Sequence, residues 1–290
     1  MPQEQTITVR CADQTPLCAT LFLPDQTPTK AVMIAPATGI RRKFYAAFAR
    51  HLSEQGWGVI TFDNRGIGDS LQDSVRNSDA SLQVWGEQDM PAILEELKRR
   101  FPNANYHLVG HSAGGQLVGL MHNQHDLQSI LNFACSSGSL QNMKGTFWWR
   151  AQFFMNVFIP LNNRLFGYTN TQWIGMGEPL PKQVAKEWRT WCNGRGYVKM
   201  AFGKSIQQHW YDDVRCPALW LYAPDDHIAN EANVRDMMSV FPSMRSDIQE
   251  LRPADYSLSH IGHMQFFSGK ANVLWKIAVE WLDGTAANKA

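Results

Sequence analysis

The stretch Leu108-Val109-Gly110-His111-Ser112-Ala113-Gly114-Gly115 decides how this chain is read. The apolar run from Tyr106 to Val109 reads as a buried strand, and Gln116 to Met121 reads as a helix. Between them stands Gly-x-Ser-x-Gly, a pattern that turns a chain sharply from strand to helix. Side chains at the two glycines would clash with the neighbouring strand and helix. Ser112, at the apex, is expected to sit at a strained backbone angle with its hydroxyl lifted out of the sheet. A helix starting just after it aims free N–H groups and the positive end of its dipole at the same point. A nucleophile that becomes an oxyanion-bearing adduct needs both. The five residues alone also fit a tight turn with an incidental serine, so their surroundings must decide.

Working outward, strand and helix signals alternate. Thr6 to Arg10 and Leu17 to Leu23 read as a hairpin through Asp13-Gln14-Thr15-Pro16. Ala31 to Ala35 is an apolar run fit for a central strand, and Arg41 to Gln55 places Phe44, Phe48 and Leu52 on one helical face. Gly58 to Phe62 is the next strand. Ser81 to Arg100 has helical spacing, with Pro91 near its first turn. After the serine come a strand from Ile130 to Cys135, one from Pro217 to Ala223, a helix from Glu231 to Phe241 and a short strand from Ile248 to Leu251. A last helix, Val273 to Leu282, is expected to end at Gly284, with Thr285 to Ala290 frayed. Strands separated by helices imply parallel pairing and right-handed crossovers. The expected class is α/β, a mostly parallel central sheet covered by helices on both faces.

Residues 139–212 interrupt the alternation. This stretch reads as a helical cap inserted between the two parts of one core, residues 1–138 and 213–290. It carries six of the eleven tryptophans, and an insertion there would lie over the carboxyl ends of the strands, where such sheets place ligands. The 290 residues allow a large core, and a net charge of +1 gives no electrostatic case for nucleic acid or an anionic membrane surface. The first residues lack the basic and apolar regions of a signal peptide. The longest apolar stretch, Ala151 to Leu161, is broken by Gln152, Asn156 and Pro160. Five cysteines at irregular spacings point to reduced thiols and a cytoplasmic protein.

A serine hydroxyl is a poor nucleophile at neutral pH until a base takes its proton. The base is usually a histidine, which needs a carboxylate to fix its tautomer and stabilise the imidazolium. Both residue types follow expected strands: Pro224-Asp225-Asp226-His227-Ile228, then Ser259-His260-Ile261-Gly262-His263-Met264. The residues alone leave Asp225 or Asp226 and His260 or His263 open. His260 and His263 also have the spacing of a metal pair, but no carboxylate or cysteine at ligand spacing accompanies them. Asp63 and Arg65 read as holding the loop after the fourth strand, and His209 and His227 receive no role.

In this order of motifs the sequence resembles the α/β-hydrolases, and within them serine hydrolases related to the aminopeptidase and esterase group. The resemblance rests on Phe62-Asp63-Asn64-Arg65-Gly66-Ile67-Gly68-Asp69-Ser70, Gly110 to Gly114, Ala223 to Ile228 and Gly262-His263-Met264, and spans the chain except the cap. It implies Ser112 as nucleophile, Asp226 as acid and His263 as base. It also implies an oxyanion hole from the N–H of Ala113 and one from the loop after the third strand, Ala37 or Thr38. Many relatives carry His-Gly after that strand, where this chain has Ala35-Pro36-Ala37-Thr38-Gly39. Relatives that act as dehalogenases or epoxide hydrolases use an aspartate at the position of Ser112.

The resulting expectation is a hydrolase that cleaves a carboxylic ester or thioester of a small molecule through an acyl-serine, with no cofactor and no metal. An amidase, a peptidase or an acyltransferase would use the same residues, and a binding module could keep the fold without the chemistry. His111, Thr38, Trp148, Trp149 and Phe153 are candidate substrate contacts. The cap aromatics read equally as a lid over an apolar acyl or aromatic group and as a layer packed on the core. An exposed patch for homodimerisation or interfacial contact is a third reading. Membrane docking ranks last there, because basic residues are few.

Overall fold

A computed structural model describes residues 2–287 of the chain. It opens with the hairpin β1 (Gln3–Arg10) and β2 (Pro16–Leu23), followed by β3 (Lys30–Ala35), α1 (Ala46–Glu54) and β4 (Gly58–Phe62). Then come α2 (Leu82–Val84), α3 (Met90–Arg100), β5 (Asn105–His111), α4 (Ala113–Gln116) and β6 (Leu127–Phe133). Between β6 and the next core strand lie α5 (Gly145–Phe153), α6 (Ile159–Leu165), two-residue strands β7 (Tyr168–Thr169) and β8 (Leu180–Pro181), and α7 (Lys182–Cys192). The core resumes with β9 (Pro217–Tyr222), α8 (Glu231–Met238), β10 (Arg245–Glu250) and α9 (Trp275–Ala287).

Eight strands form one sheet in the order β1-β2-β4-β3-β5-β6-β9-β10, while β7 and β8 pair as a separate ribbon. The β1–β2 and β2–β4 pairs are antiparallel, and all others in the large sheet are parallel. In β3, Val32, Met33 and Ile34 are all fully buried. Neighbouring side chains of a strand point to opposite faces, so both faces are covered. On the helical side, Phe48 of α1 meets Trp275 of α9 edge to face at 5.7 Å.

The strand order places the site. After β3 the chain adds β4 on one side, then crosses back to add β5 on the other. The loops leaving β3 and β5 therefore part in opposite directions and open a crevice at the carboxyl edge, the usual ligand position in such sheets.

Several sequence expectations change in detail. The Ser81–Arg100 helix contains a π turn over Trp85–Asp89, immediately before Pro91 in the first turn of α3. A proline has no N–H to give and its ring crowds the preceding turn, so a widened turn there accommodates it. The expected Gln116–Met121 helix is two short pieces, α4 and a 3-10 turn at Val118–Leu120. The last helix does not stop at Gly284 but runs to Ala287, and residues 288–290 of the expected frayed tail lie outside the described residues. All five cysteines are free thiols.

Candidate active site

Ser112 sits between β5 and α4 with φ 50° and ψ −114°, a strained conformation for a residue with a side chain. Its neighbours explain how the strain is imposed. A Cβ on Gly110 would stand 2.5 Å from the Gly115 nitrogen, and one on Gly114 would stand 2.0 Å from the Ala35 carbonyl oxygen. A Cβ on Gly115 would meet Asn132 Oδ1 at 2.0 Å. The turn is thus pressed against β3 and β6 on both sides. The Ser112 amide is held by the Phe133 carbonyl at 3.0 Å, and its own carbonyl accepts the amides of Gly115 and Gln116.

The chain end of β9 supplies two consecutive carboxylates with separate tasks. Asp226, buried, accepts the Ile228 and Ala229 amides at 2.8 and 2.9 Å on one oxygen. Its other oxygen meets His263 Nδ1 at 2.7 Å. Asp225 instead accepts the Ile261 and Gly262 amides at 2.9 and 3.0 Å, which fastens the loop that carries His263. Gly262 makes that turn at φ +54°, next to the exposed ring of His260. Burial disfavours the charged forms of both Asp226 and His263, yet each is outweighed by its partner. The Asp226 carboxyl is held below its usual range and the His263 imidazole above its own.

His263 is also tied to the serine turn. Its carbonyl oxygen lies 2.9 Å from His111 Nε2, and His111 Nδ1 lies 2.9 Å from Tyr45 Oη. The His263 carbonyl can only accept, so Nε2 carries the His111 proton; in a neutral ring Nδ1 then accepts from the Tyr45 hydroxyl, which itself accepts the Ala37 amide at 2.9 Å. Donor roles then run in one direction: Ala37 N–H to Tyr45, Tyr45 O–H to His111 Nδ1, and His111 Nε2–H to the His263 carbonyl. Burial together with the nearby His263 charge keeps His111 neutral, pushing its pKa down to about 3. No hydrogen bond joins the His263 ring to Ser112 Oγ; the link between the two residues runs through His111.

Two sequence candidates are corrected by this chain. The Ala37 N–H is already taken by Tyr45 and is not free to hold an oxyanion; among the described residues no acceptor engages the next amide, that of Thr38. Ala113 begins α4, so its N–H has no partner within the helix. His111 is fully buried and serves the hydrogen-bond chain rather than the crevice surface. Tyr45 was not foreseen, because nothing in a sequence pairs a tyrosine with an amide eight residues earlier.

Asp63 and Arg65 are structural, though not as partners of each other. Buried Asp63 pairs with Arg42 and accepts the Arg42 and Asp69 amides at 2.6 and 3.0 Å. Arg65 bridges Asp89 and Asp13, both at 2.6 Å. His227 lies against the Phe147 ring, with centroids 5.1 Å apart. Among the described residues no cluster of three metal-ligating side chains occurs.

A cavity of about 540 Å³ opens in the helical segment, walled by Phe147, Phe154, Phe158 and Trp188 and reaching Gly138 and Ile228. Ile228 follows Asp226 by two residues, so the cavity approaches the acid loop, although neither Ser112 nor His263 forms its wall. Trp149 and Phe153 line its outer part, whereas Trp148 does not and instead packs edge to face on Trp149 at 4.6 Å.

Comparison with known proteins agrees with the topology. Residues 36–269 match the family described as alpha/beta hydrolase fold. A stretch of 99 residues is 27% identical to protein phosphatase methylesterase 1 of Candida albicans, covering 34% of this chain and 26% of that protein. The chain therefore spans about a quarter of that relative's length. The structure is similar to a highly thermostable carboxyl esterase from Bacillus coagulans, with TM-score 0.66 and 12% identity over 98% of this chain and 99% of that one. It is also similar to the esterase domain of a Rhodothermus marinus protein, with TM-score 0.57 and 19% identity over 96% and 97% of the two chains. With its sheet order, its serine turn and a match across most of its length, the chain belongs to the alpha/beta hydrolase fold family.

Proposed function

We propose that this protein is a serine hydrolase that cleaves a carboxylic ester or thioester through an acyl-serine. The observation that carries the reading is the His263–Asp226 pair at 2.7 Å, fastened through His111 to the strained turn that presents Ser112. Ser112 Oγ attacks the substrate carbonyl carbon while its proton passes to His263 Nε2. Asp226 keeps the Nδ1–H side of the ring oriented and stabilises the imidazolium. The carbonyl oxygen becomes an oxyanion facing the N–H groups of Ala113 and Thr38; one such donor is worth about 10²–10³ in turnover. Collapse of the adduct breaks the ester C–O bond, and the leaving alcohol takes the proton from His263. A water then attacks the acyl-serine, gives its proton to His263, and releases the acid as the proton returns to Ser112.

The apolar cavity beside the acid loop supports a substrate with an apolar acyl or aromatic part, and residues 139–212 are read as the cap that selects it. Five free thiols support a reducing, cytoplasmic setting. A fluorophosphonate probe tests the reaction class: it should label Ser112 in the wild type and leave Ser112→Ala unlabelled. p-Nitrophenyl esters of graded acyl length should be hydrolysed by the wild type and lose about 10⁴ or more in rate in Ser112→Ala. Undiminished hydrolysis by that variant would remove Ser112 from the mechanism, and an unlabelled, inactive wild type would favour a binding module on the same fold.

A further inference from the structure

We propose that the outer face of the helix formed by residues 145–165 docks on an anionic lipid surface. α5, a π turn at Phe154–Phe158 and α6 make one continuous rod. Along it Trp149, Phe153, Val157, Leu161 and Leu165 recur every four residues, and they are 71%, 60%, 47%, 51% and 63% exposed. A row of that spacing drifts around an ordinary α-helix; the π turn holds more residues per turn and brings the row back. The row is about 24 Å long at 1.5 Å per residue. Phe166 and Trp173, in edge contact at 5.4 Å, extend the exposed apolar surface. An apolar face of this extent marks an interaction site rather than ordinary surface.

Charge identifies the occupant. From Leu127 to Gly177 the chain contains no aspartate or glutamate, and its cations there are Lys144, Arg150 and Arg164, all exposed. The acids bounding that run are engaged elsewhere, Asp126 with Lys98 at 2.6 Å and Glu178 with Arg41 at 2.7 Å. A second copy packed on this face by two-fold symmetry would bring these cations toward one another with no acid from the same run to answer them. Anionic headgroups would neutralise them, with Trp149 and Phe153 seated at the headgroup boundary. Few basic residues therefore suffice, because none is cancelled. Trp149, Phe153 and Ile174 also line the outer part of the 540 Å³ cavity, so the docking face is continuous with a path toward Ile228. The docking does not depend on the hydrolytic reading.

The test is sedimentation of the full chain with vesicles of phosphatidylcholine alone and of phosphatidylcholine mixed with phosphatidylglycerol. Binding to the mixed vesicles should exceed that to the neutral ones by about tenfold and weaken with salt. Leu161→Asp and Leu165→Asp, which lie outside the cavity wall, should each weaken it by about tenfold with circular dichroism and the melting temperature unchanged. Arg164→Glu should reduce binding to the mixed vesicles alone. Failure of the wild type to bind mixed vesicles, or undiminished binding by both aspartate variants, overturns the proposal. So does a solution dimer that Leu161→Asp dissociates without any vesicle binding, which would assign the face to a second copy. Labelling of Ser112 is read separately, so loss of either conclusion leaves the other standing.

Discussion

Tyr45 Oη lies 2.9 Å from both the Ala37 nitrogen and His111 Nδ1, so a single phenol joins the loop after β3 to the residue preceding Ser112. Tyr45→Phe keeps the ring packing but leaves a buried amide and a buried imidazole nitrogen unpaired. The expected cost is about 1–3 kcal/mol of stability, read by urea denaturation. Turnover should fall about tenfold with KM nearly unchanged, since the bond acts on the placement of the serine turn and not on substrate. A variant with wild-type stability and wild-type kcat would show that the chain of bonds does not hold the site.

The adjacent carboxylates separate under substitution. Asp226→Asn removes the charge that orients His263 and should lower kcat by about 10⁴ while the protein still folds. Asp225→Asn leaves that charge in place but weakens two amide contacts in the His263 loop. It should cost about 1–2 kcal/mol and reduce kcat far less. Equal losses in kcat for the two variants would contradict the division of labour.

Charge on the same pair sets the pH response. Burial works to lower the His263 pKa, but the Asp226 charge outweighs it, so the folded value lies above the ordinary 6.5. A general base must be neutral; hydrolysis of a soluble ester should therefore fall with acid through a midpoint above 6.5. In Asp226→Asn burial remains without the charge, and the midpoint of the residual rate should move lower.

Stability follows the same pair with opposite signs at the two ends. The raised His263 contributes fully below its unfolded value of 6.5, and that contribution is lost as pH rises through the folded value. The lowered Asp226 contributes above its unfolded 3.8 and loses this as pH falls through its folded value. Asp226→Asn should therefore depress the melting temperature most in mild acid, between those two unfolded values, and least in alkali. A depression equal at both pH values would refute the assignment.

Two glycine substitutions should move stability in opposite directions. Gly114→Ala would push a methyl group to 2.0 Å from the Ala35 carbonyl oxygen, backbone against backbone. It should cost about 3 kcal/mol or more and abolish fluorophosphonate labelling. Gly284→Ala, with nothing within 4 Å among the described residues and a position inside α9, should stabilise by about 0.5–1 kcal/mol. Denaturant midpoints for the two variants check both signs.

The sheet was legible because its strands are uniform apolar runs: Ala31 to Ala35 and Gly58 to Phe62 can be little else, and they occupy β3 and β4 as expected. The sequence could offer Ser112, Asp226 and His263 as candidates because Ser112 and Asp226 stand in turns just after strands and His263 follows a glycine in the loop beyond β10. What a linear sequence hides is which backbone amide is already occupied. Ala37 and Thr38 look alike on paper, and only the fold brings the Tyr45 hydroxyl to one of them. Residues 139–212 were opaque for a different reason. Phe147, Trp148, Phe154 and Phe158 are as apolar as Trp149 and Phe153, so no polar side marked which face looks outward. Pro91 could be placed in a first turn, but the π turn before it depends on how the preceding helix packs.

Asp225 has one further consequence. Because it clamps the Ile261 and Gly262 amides directly to the end of β9, the geometry of the imidazole does not rely on the 33 positions of chain from 227 through 259 to transmit it. The exposed bend after β10 is thus a place where evolution, or a protein engineer inserting a tag or a sensor module, can lengthen the chain while the reacting groups keep their station.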